Sequence, residues 1–333
     1  MRRIGGLFEG ICDRTNLSAA VWAAARGRRE QPDVAEFLRD ADRRLNQISR
    51  DLLHGAFRFQ RYWEFDVYDT KTRTIRAPSF RDRVVHHAII NVAGPALERS
   101  ALEQSYACRQ GRGQHAALRQ ARYWTRRRLW YGKLDFKKYY DSVNHDLMRL
   151  RLRRRFAERQ VLDLFDRLLD SWCSRPGVGL PIGALTSQYL GNFFLDAFDA
   201  RMKCSGMCRR YVRYMDDIVI WNAQSEMGAI RELAQVAAGE LRLEIKHGGE
   251  WNCCDFGVPF LGFVVYPGRL RVGRQARRRL RRKLRAVRGE FAAGRLDELQ
   301  YQARLTSLFA HCRVADDENW RRSVLESQSG CDE

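Results

Sequence analysis

The sequence predicts an α+β fold, and three observations carry the prediction. Short runs of alternating apolar and polar residues come in pairs around tight turns, at 63–76 and at 210–221, as antiparallel hairpins do. Between them, apolar residues recur at helical spacing over longer stretches. Hydrophobic residues make up 45% of the 333, enough core for one large multi-lobed unit or two to three lobes sharing interfaces. No internal repeat or low-complexity linker interrupts the chain, so the lobes are expected to be continuous.

Residues 1–60 read as a helical N-terminal extension. Asp33 and Glu36 behind Pro32 predict a helix start with reciprocal capping. Val34, Phe37, Leu38, Ala41, Leu45, Ile48 and Leu52 then form one apolar stripe, closed by Gly55. Trp63, Phe65 and Val67 alternate with Glu64, Asp66 and Tyr68 as a strand, Asp69 to Thr72 turns, and Arg73 to Arg76 returns. Lys71, Arg73 and Arg76 make this hairpin either a solvated basic turn or a lid over phosphates, since arginine forms paired bonds to phosphate oxygens. Ser79 and Asp82 cap the next helix, Val84, Val85, Ala88, Ile89 and Val92 bury it, and Pro95 is expected to end it. The basic, glycine-rich segment from Tyr106 to Gly113, with Arg109 and Arg112, suits close approach to a nucleic-acid backbone. No Gly-Lys-Ser/Thr follows, so it is not a Walker loop.

A short strand, Trp130 to Leu134, ends in Asp135, and Asn144 starts a basic helix reaching about Arg155. The loop from Gly177 to Gly183 surrounds Pro181. Thr186 or Ser187 is expected to cap the helix that follows, whose apolar face is Leu190, Phe193, Phe194, Ala197 and Phe198. Arg210 to Arg213 and Ile218 to Trp221 read as half-buried strands around Tyr214-Met215-Asp216-Asp217, a tight hairpin tip. Ser225 is expected to start a helix with Met227, Ile230, Leu233, Ala234 and Ala237 inside. Phe260 to Phe263 reads as a strand, with Gly262 where another backbone approaches. From Arg269 to Arg288 there are eleven basic residues and no acid, yet Leu280, Leu284 and Val287 keep helical spacing. One-signed charge on an ordered helix favours phosphate-backbone binding. Two further helices are expected, at 296–311 and 319–325.

The chemistry centres on the acids. Carboxylates on a rigid hairpin tip can hold two hard cations about 4 Å apart, the arrangement that activates an attacking oxygen and stabilises a leaving one. Asp135 at its strand end would be the second half of such a site if the fold pairs its strand with the hairpin. Taken singly, an Asp-Asp turn or a strand-ending Asp also occurs without chemistry. The formal net charge of +20 points to nucleic acid or an anionic membrane surface. No apolar run is long enough to span a bilayer, and no apolar segment follows Met1-Arg2-Arg3 as in a signal peptide, so nucleic acid is the expected partner, with no membrane. Nine cysteines, an odd number in a large chain, fit reduced thiols and a cytoplasmic setting. Cys204, Cys208, Cys253 and Cys254 with His247 match no common zinc spacing.

Together the motifs resemble those of a reverse transcriptase. Asp135 with Phe136 and Tyr139-Tyr140 resembles the first catalytic motif of that family, and Tyr214-Met215-Asp216-Asp217 the second. Gly179 to Gln188 resembles the loop-helix between them, and Phe260 to Phe263 the hairpin that holds the primer. The resemblance implies a right-hand polymerase fold: an extension at 1–60, fingers at 61–130, a palm (antiparallel sheet with helices on one face) at 131–265 and a basic helical thumb at 266–333. It leaves no room for an RNase H, a maturase domain of usual size or an endonuclease. Where most bacterial members carry Gln-Gly-x-x-x-Ser-Pro, this chain has Ile182-Gly183-Ala-Leu-Thr-Ser187-Gln188. That string, with Ser105 to Arg109, resembles the reverse transcriptases of diversity-generating retroelements.

The resemblance further implies two Mg²⁺, with Mn²⁺ as a possible substitute, on Asp135, Asp216, Asp217 and the Phe136 carbonyl. It places Lys71, Arg73 and Arg83 on the triphosphate, and Tyr140 under the sugar, where it would exclude a 2′-hydroxyl. Ile182 and Gln188 would lie beside the nucleotide. Nucleic acid would be bound by Arg109, Arg112, Arg274, Arg277 and Arg278, and by Arg281, Arg282, Lys283 and Arg285. The implied partners are a template-repeat RNA, its cDNA or primer strand, dNTPs and an accessory variability protein forming a pentameric barrel. A retron, group II-like or phage-defence enzyme, or a non-catalytic RNA-binding protein with a polymerase fold, are the alternatives.

Overall fold

Both faces of a four-stranded antiparallel sheet are covered, and this sheet carries the acidic turn. The computed structural model of the chain describes residues 3–68, 72–127 and 129–326. The chain begins with four helices, α1 (Phe8–Cys12), α2 (Arg14–Ala25), α3 (Pro32–Arg39) and α4 (Ala41–Leu53). The single helix expected from the 34–52 stripe is two, broken at Asp40 (φ −128°, ψ 37°). Reciprocal capping by Asp33 and Glu36 is not formed, because Pro32 takes the first helical position and Gln31 becomes an uncapped N-cap. Gly55, with φ +66°, closes α4 as its position requires.

The antiparallel hairpin β1 (Trp63–Tyr68) and β2 (Thr72–Ala77) follows, then α5 (Phe80–Glu98). The Ser79 side chain caps α5 by accepting from the Asp82 amide. Pro95 does not end this helix. The carbonyl it deprives of a donor belongs to Asn91, on the exposed face, so the helix runs one turn further at little cost. Next come α6 (Gln114–Thr125), β3 (Trp130–Leu134), α7 (Tyr139–Ser142), α8 (His145–Arg155, capped by Asn144) and α9 (Arg159–Asp170). The helix α10 (Leu185–Cys204) starts at Ala184 with no side-chain cap. Thr186 and Ser187 are buried inside its first turn instead of capping it, with Thr186 Oγ1 3.3 Å from His86 Nδ1.

The strands β4 (Arg210–Tyr214) and β5 (Asp217–Asn222) form the hairpin around the acids, followed by α11 (Met227–Glu240) and β6 (Glu250–Cys253). A 3₁₀ turn at Gln224–Glu226 precedes α11, so the helix begins two residues later than Ser225. The segment read as a strand, Phe260 to Phe263, is a turn. Leu261 (φ +51°) and Gly262 (φ +84°) join β7 (Val258–Phe260) to β8 (Phe263–Val265), and two positive-φ residues suit a tight hairpin. The chain ends in β9 (Leu270–Val272), α12 (Arg274–Ala292), α13 (Glu298–Ala310) and α14 (Glu318–Glu326). Asp297 and Gln300 form a capping box on α13.

The central sheet has the order β4-β5-β3-β6, and β7-β8-β9 form a separate three-stranded sheet. Leu134, Tyr211, Ile218 and Ile220 point into a core with α5, α10 and α11. Tyr131, Val212, Val219 and Trp221 point the other way, into a core shared with α6, the small sheet and the C-terminal helices. The central strands are therefore buried on both faces, whereas alternation alone predicted half-buried ones. Gly132 fits because Trp251 crosses it: a Cβ there would come within 2.3 Å of the indole.

Candidate active site

The acidic turn is built by register. Tyr214 pairs with Asp217, which leaves Met215 and Asp216 as the two-residue tip, Met215 at φ +55°. Leu134 pairs with Ile218, so continuing the antiparallel register sets Asp135 opposite Asp217. Opposed residues share a face of the sheet, as do residues two apart along a strand. Lys133 therefore lies on the face of Asp135 and Asp217, with its Nζ 3.7 Å from Asp217 Oδ1.

The electrostatics tie these groups together. Burial pushes the Asp216 carboxyl up, Asp135 adds to the rise, and Arg73 and Arg213 oppose it. Burial likewise pushes Asp217 up to about 7; Lys133 and the Leu261 backbone amide hold it down, while Asp216 and Asp135 raise it. Asp217 Oδ1 is buried with no hydrogen-bond donor. No three His, Cys, Asp or Glu side chains among the described residues close around one point. Hence Cys204, Cys208, Cys253, Cys254 and His247 form no zinc cluster, and the three aspartates are neighbours in charge but not a finished cage. All-oxygen donors, an unsatisfied carboxylate oxygen and mutual repulsion relieved by positive charge fit a hard divalent cation.

A buried ion network supports the tip from behind. Arg213 is fully buried; its Nε donates to both Asp199 oxygens (2.9 and 2.8 Å) and its Nη2 to Asp196 Oδ1 at 3.1 Å. Its Nη1 reaches the Met215 carbonyl at 3.3 Å and Asn192 Oδ1 at 2.8 Å. The Tyr211 hydroxyl also donates to Asp199, and the Ser100 hydroxyl to Asp196.

Tyr140, Cys108 and Gln188 lie close to the tip, and other sequence-predicted residues brace neighbouring segments. Tyr140 is half-buried, feels the Asp216 charge and lies against Gly191 of α10. Phe136 packs edge-on to Phe198, ring centroids 5.4 Å apart, which fixes the backbone beside Asp135. The Cys108 thiol donates to Gln188 Oε1 at 3.4 Å and lies 4.0 Å from Met215 Sδ. The Ile182 carbonyl accepts from the Arg76 amide at 2.6 Å, docking the β1–β2 hairpin on this loop, where Gly183 leaves space for Ile75. Six basic residues of α12, Arg274, Arg278, Arg281, Arg282, Lys283 and Arg285, are exposed, while Leu280, Leu284 and Val287 are buried.

Other candidates lie elsewhere or are engaged. Lys71 lies outside the described residues. Arg83 is half-buried on α5 among the charges of Arg28 and Asp33. Arg109 donates to the Leu102 and Ser105 carbonyls (2.6 and 2.9 Å), bracing its own loop. Arg112 lies 5.5 Å over the Tyr106 ring. Arg277 donates to the Val272 carbonyl (2.9 Å) and to Asp317 (2.7 Å), tying the C-terminal lobe together.

The sequence model described as "Reverse transcriptase (RNA-dependent DNA polymerase)" matches residues 67–256, more than half of the chain and all of the acidic site. The chain belongs to the reverse transcriptase family. Protein YkfC of Escherichia coli is 26% identical over 221 residues, covering 53% of this chain and 58% of YkfC. The putative COX1/OXI3 intron 1 protein of Saccharomyces cerevisiae is 24% identical over 164 residues, 46% of this chain and 20% of that protein. Nuclear intron maturase 1, mitochondrial, of Arabidopsis thaliana is 32% identical over 92 residues, 28% of this chain and 13% of that one. The matched region thus spans just over half of YkfC and a fifth or less of the other two. Among the described residues no helix is long and apolar enough to cross a membrane.

Sequence reasoning missed four groups beside the aspartates of this family member. Lys133 stands two residues before Asp135, a spacing that already marks a shared face. By local pattern Arg213 reads as one more strand residue. The signal for its burial was the pair Asp196 and Asp199, three residues apart on an otherwise apolar helix face. Cys108 and the Leu261 amide carry no local signal, because each reaches the tip only through tertiary packing.

Proposed function

We propose that the chain is an RNA-directed DNA polymerase of the diversity-generating type, copying a template-repeat RNA into adenine-mutagenised cDNA for a variable gene. The observation supporting polymerase activity is the β3–β5 register, which continued by one residue brings Asp135 opposite Asp217, with the Asp135 charge felt at Asp216. In this reading residues 61–130 act as fingers, 131–265 as palm and 266–333 as thumb, behind an extension at 1–60. Asp135, Asp216 and the Phe136 carbonyl hold Mg²⁺, or Mn²⁺ in its place, with Asp217 as the weaker ligand. When bound, the metal supplies Lewis-acid activation of the primer 3′-hydroxyl and neutralises phosphate charge. Arg73, whose charge is felt at Asp216, steadies the triphosphate with Lys71. Arg83, set among Arg28 and Asp33, would reach it only if the fingers close. Tyr140 occupies the space a 2′-hydroxyl would need. The exposed basic face of α12 tracks the backbone of the paired strands.

The subclass rests on residues. Ile182 presents an apolar side chain where most bacterial relatives carry an amide, and polar contacts discriminate between substrates better than apolar ones. Gln188, held by Cys108, stands where they carry proline. The accessory pentameric protein is the partner this reading calls for. Primer extension on a homopolymer RNA template with Mg²⁺ is the test. The wild type extends, and Asp216→Asn loses activity by at least about 10³-fold with RNA binding retained. Persistent synthesis by Asp216→Asn refutes the metal assignment, and adenine-accurate cDNA refutes the subclass in favour of a retron or group II-like enzyme.

A further inference from the structure

A second concentration of charge lies away from the aspartates. A cavity of about 660 Å³ opens between α8 and α10, and its wall carries Arg3, Arg151, Arg153, Arg154 and Arg155. The repeated arginines of α8 arise because Met148 and Leu152 bury its inner face. Arg151 and Arg155 are drawn over the Phe193 ring, 5.1 and 5.8 Å from its centroid. Arg151 Nη2 donates to the Phe193 carbonyl at 2.8 Å, and its Nε is buried with no hydrogen-bond partner.

Among the described residues, negative charge here is scarce. Asp196 lines the floor, but it is already engaged by Arg213 and Ser100. Asp166 reaches Arg153 only at 3.7 Å. Asp196 also acts on Arg151 and Arg155, but exposed Arg3, Arg153 and Arg154 leave a positive excess that a phosphate group, with oxygens matched to the guanidinium fork, would fill. The site is separate from the polymerase cleft. Asp196 faces the cavity, and Arg213, on its far side, reaches the Met215 carbonyl of the catalytic turn.

We propose that this cavity is a second nucleic-acid site, taking backbone phosphates of an RNA segment other than the strand being copied. The choice of RNA rests on the RNA-templated reading above; the choice of phosphate rests on the arginines alone. A template RNA carrying a long unpaired extension would then be held at two places, its copied end in the cleft and its flank on α8.

The test compares wild type with the triple variant Arg3→Gln/Arg153→Gln/Arg154→Gln. These three side chains are exposed, while Arg151 and Arg155, which pack on Phe193, are left in place. Affinity is titrated against salt for two ligands, a short primer–template duplex and the same duplex with a long single-stranded RNA flank. The variant is expected to bind the flanked RNA about ten-fold more weakly, with a log K against log salt slope shallower by about two to three. Extension on the short duplex is unchanged. Arg154→Glu, melting at the wild-type temperature, is expected to show the same selective loss. Unchanged affinity and slope for the flanked RNA would overturn the proposal, as would capture of an acidic protein at α8 without any RNA effect. Equal weakening on both ligands would also overturn it, by putting these arginines in the cleft. A wild type that binds the flanked RNA selectively but extends no primer would count against the polymerase reading and not against this site.

Discussion

Arg213 shows how much one residue can carry. It sits between two carboxylates, and its far end supports the acidic turn at Met215. Removing it leaves buried charge unpaired, so Arg213→Met is expected to destabilise the protein by about 3–5 kcal/mol in urea denaturation. Adding Asp199→Asn should recover part of that loss. Asp196 gives the network a pH signature, because burial and the neighbouring Asp199 push its carboxyl up to about 6 despite Arg213. A carboxyl raised in the folded state favours the protonated form, so its contribution to stability is complete below about pH 4 and lost as pH rises through about 6. Thermal melts of Asp196→Asn should therefore flatten over that window relative to wild type, a difference of roughly 1–3 kcal/mol. On the polymerase reading proposed above, Tyr140→Val should raise ribonucleotide incorporation about ten-fold or more while sparing deoxynucleotide extension, read by competing the two substrates. Replacing Ile182 with Gln should lower adenine misincorporation in sequenced cDNA, and an unchanged error spectrum would remove Ile182 from the account.

At the scale of elements, what was legible followed from period and charge. The β1–β2 hairpin, the α5 cap at Ser79, the α8 start at Asn144 and the buried stripe of α12 could all be read from local pattern. What was not legible depended on partners distant in sequence. The 34–52 stripe looked continuous because periodicity survives the break at Asp40. The central strands looked half-buried because Val212 and Ile220 satisfy different cores, which alternation cannot reveal. Asp135 was recognisable as an acid at a strand end and Asp216 as one at a hairpin tip, but the effect of one charge on the other depends on β3 pairing with β5. Gly132 marks how tightly this sheet is filled. Gly132→Ala should cost about 1–3 kcal/mol in chemical denaturation, because Trp251 has to move, and trimming Trp251 to Leu in the same chain should return part of it.

For the whole molecule, charge sets binding and packing sets integrity. With a formal excess of +20 and six exposed basic residues on α12, RNA affinity should fall steeply with salt. Neutralising Arg278, Arg281 and Arg282 should make the slope shallower by about three, checked by titration at several salt concentrations. Packing follows different boundaries from the family match, which stops at residue 256. Tyr131, Val212, Val219 and Trp221 lie within that match, yet they are covered by residues such as Val258, Phe263, Leu284 and Phe309 beyond it. A shortened protein trimmed at residue 256 would keep Asp135, Asp216 and Asp217 and still bare the greasy underside of its own platform. It should emerge from cells as insoluble material, and a soluble minimal version will have to carry its C-terminal helices along.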